Sequence, residues 1–376
     1  MIYFDYNATT PVLLEVFEAM RPFFCEEWGN PSSAYRFGSK HKQTIQTARE
    51  NVAALIGSLP DEILFTSCAT ESNNSAIHAA LKANPEKRHI LTSAVEHSSV
   101  LNLCKALEKD GYRVTYLPVD RCGLLNVADF KNALTDQTAV VSLIWANNET
   151  GVLFPIQEIG EFCQERGVLL HCDAVQAVGK LPINMRQTPV DFLSISGHKF
   201  FAPKGVGALY IRRRTPFVPF LFGGHQENGR RGGTENLPLI VGIGKAAELA
   251  LKHLPEFKTK TLPLRERLET EILTRITNTE LNGHSSLRLS NTTNIAFRGV
   301  ESDALLVMLD QAGFCASKGS ACLGDSGGPS HVINAMKPDG LTARQSLRFS
   351  LGLDSSPSEV DDCLKLLVKS VALLRA

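Results

Sequence analysis

Lys199 closes the stretch Phe192-Leu-Ser-Ile-Ser-Gly-His-Lys199, in which three apolar residues in four precede a turn. The pattern reads as a buried strand ending at the rim of a sheet, where ligands of open α/β folds bind. An exposed lysine, with a pKa of about 10.4, is a poor nucleophile; one partly desolvated beside cationic or polar groups loses its proton and forms a Schiff base. A second apolar run, Gly167-Val-Leu-Leu-His-Cys-Asp173, ends in a carboxylate and continues into Ala174-Val-Gln176. An amine and an acid offered to one pocket by neighbouring strand ends suit pyridoxal phosphate. The amine holds the aldehyde as an imine, and the carboxylate keeps the ring nitrogen protonated so that the ring accepts electrons from a carbanion. Either residue alone reads as well as a loop cap or a solvated charge; the pair is what points to a cofactor.

Further residues could serve the same pocket. Ser67-Cys-Ala-Thr-Glu71 lies between an apparent strand, Glu62 to Thr66, and an apparent helix, Asn73 to Lys82. A turn of small residues at a helix N-terminus directs amides and the Thr70 hydroxyl at whatever lies above, which suits a phosphate, although helix capping accounts for Thr70 equally well. Glu96-His97-Ser98 sets an imidazole at a strand end, where it can stack on a ring or move protons, and Asn147-Asn-Glu-Thr-Gly151 is a second polar loop that could simply turn the chain. The glycine-rich run Phe222 to Asn236 suggests a loop meeting a phosphate or a partner subunit, or else a disordered surface loop. Ala316 to Pro329 reads as a long mobile loop carrying Cys322. Exposure and some thiolate fraction are what a reactive cysteine needs, while a lone surface cysteine is ordinarily inconsequential. Arg348, inside the apolar pattern Ser346 to Gly352, calls for a carboxylate, structural or a substrate's.

The elements that must hold these residues follow from apolar periodicity. His89 to Ser93, Arg113 to Leu117, Val140 to Trp145 and Val206 to Ile211 read as further strands, with Val12 to Phe24 and Ala246 to Ile276 as helices. Alternating strands and helices imply an α/β fold, a mostly parallel sheet flanked by helices. Ile295 to Phe297 and Asp303 to Ala312 continue as a strand and a helix of a smaller domain. The Gly242-Ile-Gly244 run resembles a dinucleotide fingerprint, but Pro238 spoils the strand that should precede it. The chain has 376 residues, enough for one large domain with a smaller satellite, and 39 basic against 39 acidic residues leave no field to hold a nucleic-acid backbone. The Arg212-Arg213-Arg214 run reads as the solvated end of a strand. No apolar run reaches membrane-spanning length and no signal segment is evident, so a soluble, cytoplasmic protein with no membrane partner is expected. Nine cysteines without a Cys-x-x-Cys pair suggest neither a disulfide framework nor a metal site.

Asp5-Tyr-Asn-Ala-Thr-Thr-Pro11, Gly29-Asn-Pro-Ser-Ser33, Ala69-Thr-Glu-Ser72, Glu96-His97, Asn147-Asn-Glu149, Asp173-Ala-Val-Gln176, Ser196-Gly-His-Lys199, Gly232-Gly-Thr234, Gly319-Ser-Ala-Cys322 and Arg348-Phe-Ser-Leu-Gly352 together resemble the cysteine desulfurases. These are the NifS/IscS-like members of the class V aminotransferase superfamily, and the motifs recur in the family's order along nearly the whole chain. The resemblance implies a pyridoxal 5'-phosphate enzyme of fold type I and a homodimer. It implies a large domain over residues 15–257 and a small one from 1–14 and 258–376, the latter carrying the cysteine loop at about 316–330. Its implied activity converts L-cysteine to L-alanine, the sulfur passing to Cys322 as a persulfide for delivery to an acceptor protein. Lys199 then holds the cofactor, Asp173 pairs with its ring nitrogen, Gln176 reaches the ring hydroxyl and His97 stacks on the ring. Ala69, Thr70, Ser196 and His198 surround the phosphate with Thr234 from the other subunit, and Asn148 and Arg348 fix the substrate. Lys318 stands where many relatives have serine, and its ammonium is expected to lower the Cys322 pKa. The chain stops soon after Arg375 without the tail by which housekeeping relatives bind an iron-sulfur scaffold, so the sulfur's destination, iron-sulfur cluster assembly included, is open. Selenocysteine lyase or another class V lyase or aminotransferase, and a non-catalytic sulfur-relay or assembly subunit, are the alternatives.

Overall fold

The computed structural model describes residues 1–319 and 328–376. Twelve strands occur among them: β1 (Ile2–Tyr3), β2 (Ile63–Thr66), β3 (His89–Ser93), β4 (Arg113–Leu117), β5 (Thr138–Ile144), β6 (Leu169–Asp173), β7 (Phe192–Ser196), β8 (Gly207–Ile211), β9 (Thr279–Asn282), β10 (Thr292–Phe297), β11 (Phe314–Cys315) and β12 (Ser346–Ser350). Seven form one sheet in the order β2-β8-β7-β6-β5-β3-β4. From β7 to β4 every neighbouring pair is parallel, and β8 alone is reversed, pairing antiparallel with β2 and β7.

The sheet is mostly parallel because its strands are buried on both sides. Successive residues point to opposite faces, so Val141 and Leu193 enter one core while Val140 and Phe192 enter the other. The first core is closed by Val52 and Ile56 of the helix His41–Ile56 and by Ile243; the second by Ala76 and Ala80 of the helix Ala69–Ala83 and by Val100 of the helix Ser98–Lys109. A third core joins Phe4 to Ile295, Phe297, Leu347 and Phe349, and to Leu305 and Leu364 from the helices Ser302–Gln311 and Pro357–Arg375. It backs the antiparallel sheet β12-β10-β9, beside which β1 pairs parallel with β11.

One helix, Leu237–Arg275, connects these cores: Ile243 and Ala247 belong to the first, Leu268 and Ile272 to the third. It starts nine residues before the expected Ala246 because Asn236 caps it through Leu239 N–H and Pro238 occupies its first turn, where a missing N–H is harmless. Gly242 and Gly244 lie inside this helix. A Cβ on Gly242 would come within 2.6 Å of the Met20 sulfur, and one on Gly244 within 2.5 Å of Ala48 Cα. These glycines permit close helix packing, which accounts for the false fingerprint.

Three other expectations change. The helix expected over Val12 to Phe24 is two, Leu14–Met20 and Pro22–Cys25, divided at Arg21. Arg212 is no solvated strand end: its guanidinium donates to the carbonyls of Val190, Met185 and Thr188. The glycine-rich run around residue 227 is ordered, because the buried Glu227 carboxylate accepts from both Arg49 Nη atoms at 2.8 and 2.6 Å and from Phe65 N–H at 3.0 Å. Among the described residues, no helix is long and apolar enough to cross a membrane.

Candidate functional site

Strands β6 and β7 are parallel neighbours, so Asp173 at the end of one and Ser196 at the end of the other reach the same rim. A single tight turn, Gly197–Lys199, then delivers the lysine. These residues line a cavity of about 180 Å³ together with Ala69, Thr70, His97, Asn148, Gln176, His198 and Arg348. Residues separated by hundreds of positions thus converge on one hollow.

The carboxylate end is tightly constrained. Asp173 is buried, and its two oxygens accept from Asn73 Nδ2 at 2.9 Å and from Val175 N–H at 3.1 Å. Asn73 also donates to Ser99 Oγ, which meets His97 Nδ1 at 2.8 Å. Ser99 N–H donates to the same Nδ1 at 3.2 Å, which assigns the ring proton of the neutral imidazole to Nε2. Beneath His97, the wholly buried Glu96 accepts from Ser93 Oγ and Ile144 N–H. Burial, reinforced by the nearby Asp173 charge, pushes its carboxyl up to about 8, so at neutral pH it is an uncharged pin between two strand ends.

Lys199 Nζ donates to the main-chain carbonyls of Asn7 and Ala8, both at 2.7 Å. His198 Nδ1 meets Thr9 Oγ1, and burial beside Lys199, Lys204 and Lys180 lowers its pKa to about 4, leaving it neutral. At the opposite wall the helix Ala69–Ala83 begins one turn earlier than its apolar pattern suggests. Its first residues, Ala69 and Thr70, therefore line the hollow together with Ser196 and His198. The Cβ of any residue but glycine at 207 would come 2.6 Å from Ile195 O and 2.9 Å from the Cys68 carbonyl carbon, so Gly207 lets this helix start close against the sheet.

Arg348 is almost wholly buried. One Nη donates to Asp5 at 2.6 Å and the other to the Asn148 carbonyl at 2.9 Å, and among the described residues Nε has no partner. The guanidinium thus already has a structural carboxylate, with donor capacity left over. Asn148 is presented by a turn that Asn147 builds, accepting from Glu149 N–H and Thr150 N–H while donating to Val95 O.

Thr234 is not at this hollow; it lines a separate depression with Ser67 and Arg231. Cys322 lies outside the described residues. Residues near both ends of the undescribed segment lie by buried Glu149: Ser330 Oγ donates to its Oε2 at 2.5 Å, and a Cβ added at Gly319 would come 3.1 Å from the same oxygen. Lys318 is ion-paired to Asp303 at 2.6 Å, and the effect expected of it on Cys322 lies outside the described residues. Sequence reasoning also passed over Asn7, Asn73, Glu96 as a neutral pin, and Lys180. Asn73 carried a usable signal, a polar side chain one turn along the helix from Thr70.

The donor set fits pyridoxal phosphate. A buried carboxylate held as an acceptor, a primary amine and a helix N-terminus with hydroxyls surround one hollow, as a cationic ring nitrogen, an aldehyde and a dianion require.

Comparison with known proteins agrees with this chemistry. The model of the aminotransferase class-V family matches residues 2–363. A protein named cysteine desulfurase 2 from Trichormus variabilis is 52% identical over 376 residues, covering 100% of this chain and 94% of the relative. Among solved structures, a NifS-like protein superposes with a TM-score of 0.93 at 35% identity, covering 99% of each chain. SspA in complex with cysteine superposes with a TM-score of 0.83 at 37% identity, covering 95% of this chain and all of that one. The chain belongs to the class-V aminotransferase family and, within it, to the cysteine desulfurases.

Proposed function

We propose that this chain takes the sulfur of L-cysteine onto Cys322 as a persulfide, releases L-alanine, and passes the sulfur to an acceptor protein. The observation that carries the reading is the convergence of Lys199, Asp173, His97 and Arg348 on one hollow.

Pyridoxal 5'-phosphate, when bound, supplies the electron sink that makes the substrate Cα proton removable. Lys199 would hold its aldehyde, Asp173 its ring nitrogen, Gln176 its ring oxygen, and Thr70, Ser196 and His198 its phosphate. Asn73 keeps the Asp173 carboxylate aimed, and a neutral His97 covers the ring. Arg348 draws the substrate carboxylate with the donors that Asp5 and Asn148 leave over. The Lys199 amine would take the substrate Cα proton and later return one. Cys322 thiolate attacks the substrate sulfur, forming an S–S bond as the Cβ–S bond breaks. The sum is L-cysteine plus a protein thiol giving L-alanine plus a protein persulfide.

Two copies of the chain form the working enzyme, with Thr234 of each completing the phosphate site of the other. Residues 15–257 form the cofactor-binding domain, and 1–14 with 258–376 the smaller one. The enzyme acts in the cytoplasm. Incubating the purified protein with L-cysteine and a thiol reductant tests the activity: alanine and sulfide should appear in equal amounts, and alanine without sulfide or bound persulfide would refute it.

A further inference from the structure

We propose that Lys180 is a positioning residue for the cofactor site, acting by dictating which end of the Asn7 and Gln176 side-chain amides faces it. The inference rests on the cofactor assignment made above.

Lys180 is 6% exposed and lies behind the hollow, four residues beyond Gln176. Its Nζ donates to Asn7 Oδ1 at 2.9 Å and to Gln176 Oε1. With Nζ donating to both, each amide oxygen is turned toward it and each NH₂ group away. Burial, with the charges of Lys199 and Arg348 adding to it, holds the Lys180 pKa well below the ordinary lysine value. A neutral amine keeps two hydrogens, which still suffice for both bonds.

The orientation propagates. Gln176 Nε2 is left to donate to the Asn7 carbonyl at 2.9 Å, the carbonyl that also receives Lys199 Nζ. Asn7 Nδ2 is left to donate to Thr292 Oγ1 at 2.9 Å and to the Asn148 carbonyl at 3.2 Å. That second carbonyl also receives Arg348 Nη1. Asn291 Nδ2, at 3.3 Å from Asn7 Oδ1, favours the same orientation but does not reach Gln176. One buried amine therefore sets the polarity of a chain of bonds that ends on the amine, amide and guanidinium of the site. With a thioether in its place, only the bond from Nε2 to the Asn7 carbonyl still favours this orientation, and a Gln176 amide that turns over no longer presents its NH₂ to the cofactor oxygen.

The test compares the wild-type holoenzyme with Lys180→Met, Gln176→Ala and the double variant. Visible absorption of the bound cofactor is titrated against pH, and pyridoxal phosphate affinity and thermal unfolding are measured alongside. Losing the amide donor favours the protonated cofactor, so the Lys180→Met titration is expected to move to higher pH by about 0.5 unit or more. The double variant is expected to match Gln176→Ala, because one residue acts through the other. A wild-type titration in a merely less thermostable Lys180→Met, or fully additive shifts, would overturn the proposal. Lys180→Ala, which likewise removes the donor to Gln176 Oε1, reads the same linkage should Lys180→Met not fold; it should shift the titration in the same direction, and an unshifted titration overturns the proposal. The titration is readable whether or not L-cysteine is the substrate, so its failure leaves the desulfurase reading standing. Absence of any cofactor absorption would overturn both.

Discussion

Glu96 makes a prediction at the scale of one side chain. Its folded pKa of about 8 lies above the ordinary value of 4.5, with burial as the main cause. Between those values the unfolded chain has released the proton and the folded chain has not, so this residue's contribution to stability falls as pH rises through the window and is constant above it. Glu96→Gln can keep both accepted bonds through Oε1 and cannot ionise. The melting temperature of Glu96→Gln relative to wild type should therefore climb from pH 5 to pH 8 and then level off, and a flat difference would show that Glu96 ionises normally. Arg348 offers a second test: Arg348→Ala should lower kcat/KM for L-cysteine by roughly 10- to 150-fold, the worth of about 1.5–3 kcal/mol for a hydrogen bond to a charged group. An unchanged kcat/KM would take the substrate carboxylate elsewhere. Lys199 and Asp173 were legible in the sequence because each ends an apolar strand. Glu96, Lys180 and Asn7 were not, because their meaning comes from burial and from partners such as Thr292 and Asn148, far away along the chain.

Between elements, the Arg49–Glu227 pair fastens the glycine-rich loop to the helix His41–Ile56 and to β2. Glu227 and Asn228 hold φ of +50° and +57°, a left-handed conformation that the ion pair must keep in place. Removing one partner leaves an uncompensated charge in the interior, so Arg49→Ala and Glu227→Ala should each destabilise by about 3–5 kcal/mol, with the double variant costing clearly less than their sum. Chemical denaturation measures this; additive losses would mean that the two side chains do not act as a pair. The strands of the seven-stranded sheet were readable to within two residues from their apolar runs, whereas β10 begins at Thr292, three residues before the expected Ile295. Ends set by side-chain caps were less so: the helix at Leu237 depends on Asn236 and the one at Ala69 on close approach to Gly207. The order of the loop at Glu227 was hidden in an arginine nearly 180 positions upstream.

At the scale of the molecule, one copy leaves Thr234 away from the hollow that the phosphate would occupy. The chain also carries apolar side chains that an isolated copy has no reason to show: Trp28 is 66% and Phe222 80% exposed, with Phe24 and Tyr35 also more than half exposed. Pro31, Ser32 and Lys42 share a depression with His225, Gln226 and Glu235, so the segment bearing these aromatics adjoins the glycine-rich loop. Exposed aromatic side chains near a Thr234 that lies outside the hollow are what a symmetric second copy would cover, each loop reaching the other's cofactor. Charge among them should separate the copies without touching the hollow. Phe222→Glu is therefore expected to sediment as a monomer, to keep its far-ultraviolet circular dichroism, and to lose most of its affinity for pyridoxal phosphate because Thr234 is no longer supplied. Adding a second charge, Trp28→Glu, should deepen both effects. A Phe222→Glu monomer that binds the cofactor as tightly as wild type would show that each chain completes its own site, and the shared-site arrangement would have to be abandoned.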